Sequence, residues 1–122
     1  MQARERLKIP LMIGSCGTCG TNSMVDWMFQ ITSQIAKDLG QNLKIIRVYC
    51  EKKKDDLLNA FESNTIKPLN PILSVSNEEI ETFSNIVALA GAEVFQKAIS
   101  QKGDIIPVSY THLRAHETRT SL

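Results

Sequence analysis

The run "IPLMIGSCGTCGTNSMVDWMFQITSQIAKDLG", residues 9 to 40, decides the fold. It opens on an apolar stretch closed by Gly14, which suits a short buried strand from Pro10 to Ile13. A glycine-rich turn follows. Met24, Trp27, Met28, Ile31, Ile35 and Leu39 then recur at three- and four-residue steps, which predicts a helix with that stripe in the core. Gly40, just past the last of them, suits a left-handed helix stop.

Downstream, "LKIIRVYC" (43–50) reads as a second strand, because Ile45, Ile46 and Val48 are strand formers beside polar Lys44 and Arg47. A short helix is expected from Lys52 to Glu62. Pro68 and Pro71 exclude regular helix through "TIKPLNPIL" and make it a connection. Ser76 with Glu79 three residues later is a capping-box signal. Ile80, Phe83, Val87, Ala90 and Val94 extend a helical stripe from it, which Gly91 divides in two. Gly103 reads as a helix stop and "DIIP" (104–107) as the opening of a third strand. The order strand-helix-strand-helix-helix-strand predicts an α/β fold, an incomplete parallel sheet with covering helices.

Composition narrows the function classes. A chain of 122 residues supports one core, and 43% hydrophobic with 22% charged residues is ordinary globular usage. No apolar run approaches the roughly 20 residues of a membrane helix, and the sequence predicts no membrane partner. The apolar stretch after "ARERLK" is too short for a signal-peptide core, so a cytoplasmic location is expected. Net charge is +1, and Lys52-Lys53-Lys54 is answered at once by Asp55-Asp56, which argues against a nucleic-acid partner and for a solvated helix face. Three cysteines, Cys16, Cys19 and Cys50, are an odd number and do not suggest a secreted disulfide framework.

The chemically suggestive segment is "GSCGTCGTNS" (14–23), between the first strand and the first long helix. Gly14, Gly17 and Gly20 permit tight turning and close backbone approach. Ser15, Thr18, Thr21 and Ser23 supply hydroxyls beside a helix N-terminus, where phosphate or carboxylate can sit, and Asn22 is a further candidate contact. The loop has no lysine, and its spacing matches neither common nucleotide-binding fingerprint. Close helix–strand packing alone would also account for the glycines. Cys16-Gly17-Thr18-Cys19 is a C-x-x-C at a helix start, the placement that supports thiol–disulfide exchange, with small loop-filling thiols as the plainer reading. Two cysteines leave a tetrahedral zinc short of ligands, so no metal site is expected. Asp26 and Glu93 fall in largely apolar helical stretches and are the candidate catalytic carboxylates; either can equally complement a helix dipole. The residues identify no cofactor.

"IPLMIGSCGTCGTNSMVDW", "IKPLNP" and "NIVALAGAEVF" together resemble the acyclic terpene utilisation family, AtuA, across roughly residues 8 to 106. The family pattern has a strand, a G-S-x-G-T-x-G loop and V-D-W in this order, then an extended connection and an M-G-A-E-P-F-like helix. The resemblance implies a protein of bacterial breakdown of citronellol- and geraniol-type terpenoids, in a pathway of coenzyme A thioesters. It also implies a small-molecule acyl-CoA or carboxylate ligand and a longer chain around this one. Asn22, Ala90 and Val94 depart from the family's aspartate, methionine and proline. Three function classes stand: a catabolic enzyme on acyl-CoA or related acids, a thiol–disulfide oxidoreductase, and a non-catalytic binding or assembly subunit.

The last stretch reads differently. "VSYTHLRAHET" (108–118) resembles the translation of a transposase mosaic end and read-primer site from short-read sequencing libraries. Residues 1–107 are therefore expected to be an AtuA-like fragment and residues 108–122 a non-native, disordered tail without packed contacts. His112 and His116, though spaced H-x-x-x-H, are then no site at all.

Overall fold

The computed structural model describes residues 1–67 and 75–111. Pro68 and Pro71 of the predicted connection, and His112 and His116 of the tail, lie outside these residues. In chain order the elements are α1 (Gln2–Leu7), β1 (Leu11–Ile13), α2 (Asn22–Asp38), α3 (Lys54–Glu62), α4 (Asn77–Thr82), α5 (Ala92–Ser100) and β2 (Ile105–Pro107). The fold is mixed α/β, as expected from sequence. The sequence placed no element over α1, whose Arg4 side chain pairs with Asp104 just before β2.

β1 and β2 form a two-stranded parallel sheet in the register Leu11↔Ile105, Met12↔Ile106, Ile13↔Pro107. The predicted second strand lies along β2 and meets it at two parallel bridges, Ile45↔Ile105 and Val48↔Val108. Pro107 explains why these bridges stay isolated. Lys44 O accepts from Ile105 N–H at 3.3 Å, Ile46 N–H donates to Ile105 O at 2.9 Å, and Val48 N–H donates to Pro107 O at 2.9 Å. The next rung of a parallel ladder would run from residue 107 to Ile46 O, and proline has no N–H to supply it.

The strand path does not stop at Pro107. Val108 N–H donates to Ile13 O, Cys16 N–H to Val108 O and Ser109 N–H to Val48 O, at 2.9, 3.1 and 3.0 Å. Val108 and Ser109 are fully buried, and Thr111 bridges Ala90. The expectation of a tail without packed contacts is thus corrected for residues 108–111. Backbone groups make most of these bonds, and "VSYT" offers strand-forming side chains of a size that fits.

A buried core joins the sheet to α5. Cys50, Ala90, Phe95, Ala98, Ile106 and Val108 form one buried cluster, flanked by Ile46, Val48, Val87 and Val94. Ile105 and Pro107 alternate away from that cluster and are also fully buried, and α2 contacts β2. The face that α2 buries is not the predicted stripe: Val25, Thr32 and Ala36 are buried, whereas Trp27 is 51% exposed, Ile35 39% and Leu39 38%. Small side chains let the helix approach closely, and the Thr32 hydroxyl is satisfied by Met28 O and Phe29 O at 2.9 and 3.1 Å.

The predicted stops and starts fall where local chemistry sets them. Gly40 is left-handed (φ 61°), with its N–H on Lys37 O and that of Gln41 on Ala36 O, a Schellman end. The capping box closes with Ser76 Oγ accepting from Glu79 N–H and Glu79 Oε2 accepting from Ser76 N–H, at 3.2 and 2.8 Å. At the end of α5 the left-handed residue is Lys102 (φ 57°) rather than Gly103. Gly103 is instead hemmed in, since a Cβ there would lie 2.8 Å from Ile46 Cδ1.

The helix expected from Ile80 through Val94 is a further correction. α4 ends at Thr82, and Phe83 turns out to an extended ψ of 130°. Residues 86–90 then run as extended chain, with Lys52 N–H on Ile86 O, Ala88 N–H on Cys50 O and Ala90 N–H on Tyr110 O. β-Branched Ile86 and Val87 suit this pairing, and helix resumes only after Gly91.

Candidate functional site

The glycine turn sits at the carboxyl end of β1 and feeds the N-terminus of α2. Ser15, Gly17, Thr18 and Gly20 all adopt left-handed φ, at 51°, 65°, 63° and 71°. All three glycines of the turn answer close packing. A Cβ on Gly17 would collide with the Met24 side chain, and one on Gly20 would lie 2.8 Å from Tyr110 Cβ. Gly14 is crowded in the same way, since a Cβ there would lie 2.7 Å from Thr111 Oγ1. Thr18 is different: it is exposed and β-branched, and its left-handed backbone is costly.

Buried Ser109 ties the turn to the sheet. Its hydroxyl donates to Gly20 O at 2.5 Å and accepts from Cys50 N–H at 3.2 Å. Ser15 Oγ reaches Thr111 O at 3.3 Å, and Asn22 Oδ1 accepts from Glu51 N–H at 3.4 Å. Thr21 is the N-cap of α2 without a side-chain cap bond; its hydroxyl instead lies 2.9 Å from Ser23 Oγ.

The two loop cysteines differ. Cys16 is buried, its Sγ against Ile13 O at 3.5 Å, and burial pushes its thiol pKa up. Cys19 is exposed, and its hydrogen bond with the Thr21 hydroxyl, at 3.5 Å, lowers its thiol pKa. Thiolate chemistry in this turn would begin at Cys19.

Asp26 lies on the surface of α2 and belongs to a cluster the sequence reading missed. The Tyr49 hydroxyl donates to its Oδ1, and Arg47 Nη1 donates to the same oxygen at 2.8 Å. The Tyr49 bond first, and the Arg47 guanidinium after it, hold the Asp26 carboxyl below its ordinary range. Arg47 also stacks over Phe29, 4.7 Å from the ring centroid. A carboxylate so stabilised is a weak base and a firm acceptor. The signal for this cluster was available: Arg47 and Tyr49 stand two apart in an extended segment, hence on one side of it.

Glu93 does not join Asp26 among the described contacts. It lies in the first turn of α5 with its carboxylate folded over Gly91, where it complements the helix dipole. Among the described residues no His, Cys, Asp and Glu cluster could hold a metal ion, and no helix is long and apolar enough to cross a membrane. Comparison with known protein families, curated proteins and solved structures returns no match to this chain.

Proposed function

We propose that this chain is part of an AtuA-like protein of acyclic terpenoid catabolism, and that its Gly14–Asn22 turn contacts an acyl-CoA or related carboxylate. In this reading β1, β2 and the 44–48 segment belong to a larger parallel sheet with covering helices. The residue pattern of strand, G-S-x-G-T-x-G loop and V-D-W supports the family. One observation carries the ligand contact. Thr18 is held left-handed in an exposed turn at a strand's carboxyl end, where ligands of parallel sheets collect, and its own packing gives no reason for the strain.

Thr18→Gly separates stability from binding. Glycine relieves the left-handed backbone, so the thermal midpoint should rise. Loss of the hydroxyl and its fixed backbone should at the same time weaken binding of the coenzyme A thioester of citronellic acid, read by calorimetry, by roughly threefold to tenfold. Unchanged affinity would remove the turn from the ligand site.

The tail belongs to the same proposal. We infer that the codons from Val108 onward derive from a sequencing adapter that continues the strand by coincidence of size and propensity. Amplification of the source locus should give a reading frame that diverges after Pro107. A genomic read that runs through "VSYTHLRAHET" would refute the adapter origin.

A further inference from the structure

We propose a second ligand site, for an organic phosphate, in the cleft between the start of α3 and the extended chain that follows α4. The cleft has a volume of about 390 Å³, within the range of small-molecule sites. It shares only Asn22 with the glycine turn, and it stands whether or not the chain is AtuA-like.

Charge and donor inventory select the ligand. Lys52, Lys53 and Lys54 line the cleft against a single acid, Glu51. One Glu51 oxygen accepts from Asn85 Nδ2 at 2.7 Å, and Lys54 Nζ donates to Glu81 O at 2.6 Å. Lys52 and Lys53 are exposed, and neither ammonium group is in a salt bridge among the described residues. Asp55 and Asp56 follow in the first turn of α3, but neither lines the cleft. Asn22 has committed its oxygen to Glu51 N–H, which leaves its NH₂ as a donor. Lys53, at the N-cap of α3, supplies no side-chain cap, so the first-turn N–H groups are also unclaimed by it.

This array has cations and donors in excess of acceptors. A carboxylate brings one negative charge, whereas a phosphate ester brings about −1.5 to −2 at neutral pH and three acceptor oxygens. The phosphate matches the two ammonium groups that are unpaired among the described residues; the carboxylate leaves one of them unanswered. Phe83 forms part of the wall, which gives an organic substituent an apolar surface that a bare ion would not use.

Calorimetric titration of the full chain with phenyl phosphate, inorganic phosphate and acetate tests the site. Phenyl phosphate should bind more tightly than inorganic phosphate, and acetate should not bind. Lys52→Ala and Lys53→Ala should each weaken phenyl phosphate about tenfold. Both side chains are exposed, so far-ultraviolet circular dichroism should stay unchanged. Lys37→Ala, which removes a lysine from the last turn of α2, should leave binding as it was, and so should Thr18→Gly. Absence of phenyl phosphate binding would overturn the proposal, as would equal losses in Lys37→Ala and Lys53→Ala. Loss in Thr18→Gly alone would place the phosphate on the glycine turn instead.

Discussion

A chain ended after Pro107 is expected to lose the folded state that a chain ended after Thr111 retains. Removal of residues 108–111 leaves the bonds of β2 itself but removes those that continue its path beyond Pro107: Val108 N–H to Ile13 O, Cys16 N–H to Val108 O, Ser109 N–H to Val48 O and Ala90 N–H to Tyr110 O. Val108 is a fully buried member of the core cluster, and burial of such a side chain contributes about 1.5 to 3 kcal/mol. Loss of the Ser109 hydroxyl leaves Gly20 O and Cys50 N–H without that partner, at about 1 to 3 kcal/mol for each that stays buried. Since whole-domain stability is only about 5 to 15 kcal/mol, these losses together are of the size that unfolds a chain. Urea unfolding followed by circular dichroism compares the two lengths. Equal midpoints would show that the strand beyond Pro107 contributes nothing.

The signals that could be read correctly from sequence were local ones. The strand before Gly14, the stop at Gly40 and the Ser76–Glu79 box each depend on residues within one turn of each other, and the structure places each at or within a residue of its expected position. The failures share a different cause. Whether 83–90 is helix or extended depends on whether Cys50 and Lys52 lie alongside to pair with Ala88 and Ile86, and periodicity does not carry that partner. Which face of α2 is buried depends on how closely the sheet approaches; Thr32 and Ala36 win over Ile35 and Leu39 because they are small. For residues 108–111 the expected lack of packing followed from the origin that their sequence suggests. Packing responds only to side-chain shape and backbone donors, and Val108 and Ser109 meet both demands.

The candidate site divides along the same line. Its glycine turn was legible as a turn. What the glycines do was not, because their neighbours are Tyr110 and Thr111, some 90 residues away in the chain, and Met24 on the following helix. Asp26 was legible as an acid on an amphipathic helix, but its chemistry is set by Tyr49 and Arg47, more than 20 residues further on. A side chain's identity was readable from sequence; its protonation and its partners required the fold.

Gly17→Val should destabilise the chain by about 2 to 5 kcal/mol, and a matched change at Gly40 shows where that cost arises. Both glycines are left-handed, at φ 65° and 61°, so valine meets a similar backbone penalty of about 1 to 2 kcal/mol at each. Their surroundings differ. A Cβ at Gly40 meets nothing within 4 Å, whereas at Gly17 it overlaps Met24 along Cβ, Cγ and Sδ. The outer atoms of methionine can swing aside, but Met24 Cβ is fixed to the first turn of α2, so part of the overlap must be relieved by shifting the turn or the helix. Overpacking of this kind adds about 1 to 3 kcal/mol. The expected result is a urea midpoint lowered well beyond that of Gly40→Val. Equal midpoints would mean that Met24 yields freely and that Gly17 is needed for its backbone angle alone. The larger loss would also mean that any fall in ligand affinity in Gly17→Val reflects a displaced turn, which leaves Thr18→Gly as the cleaner probe of binding.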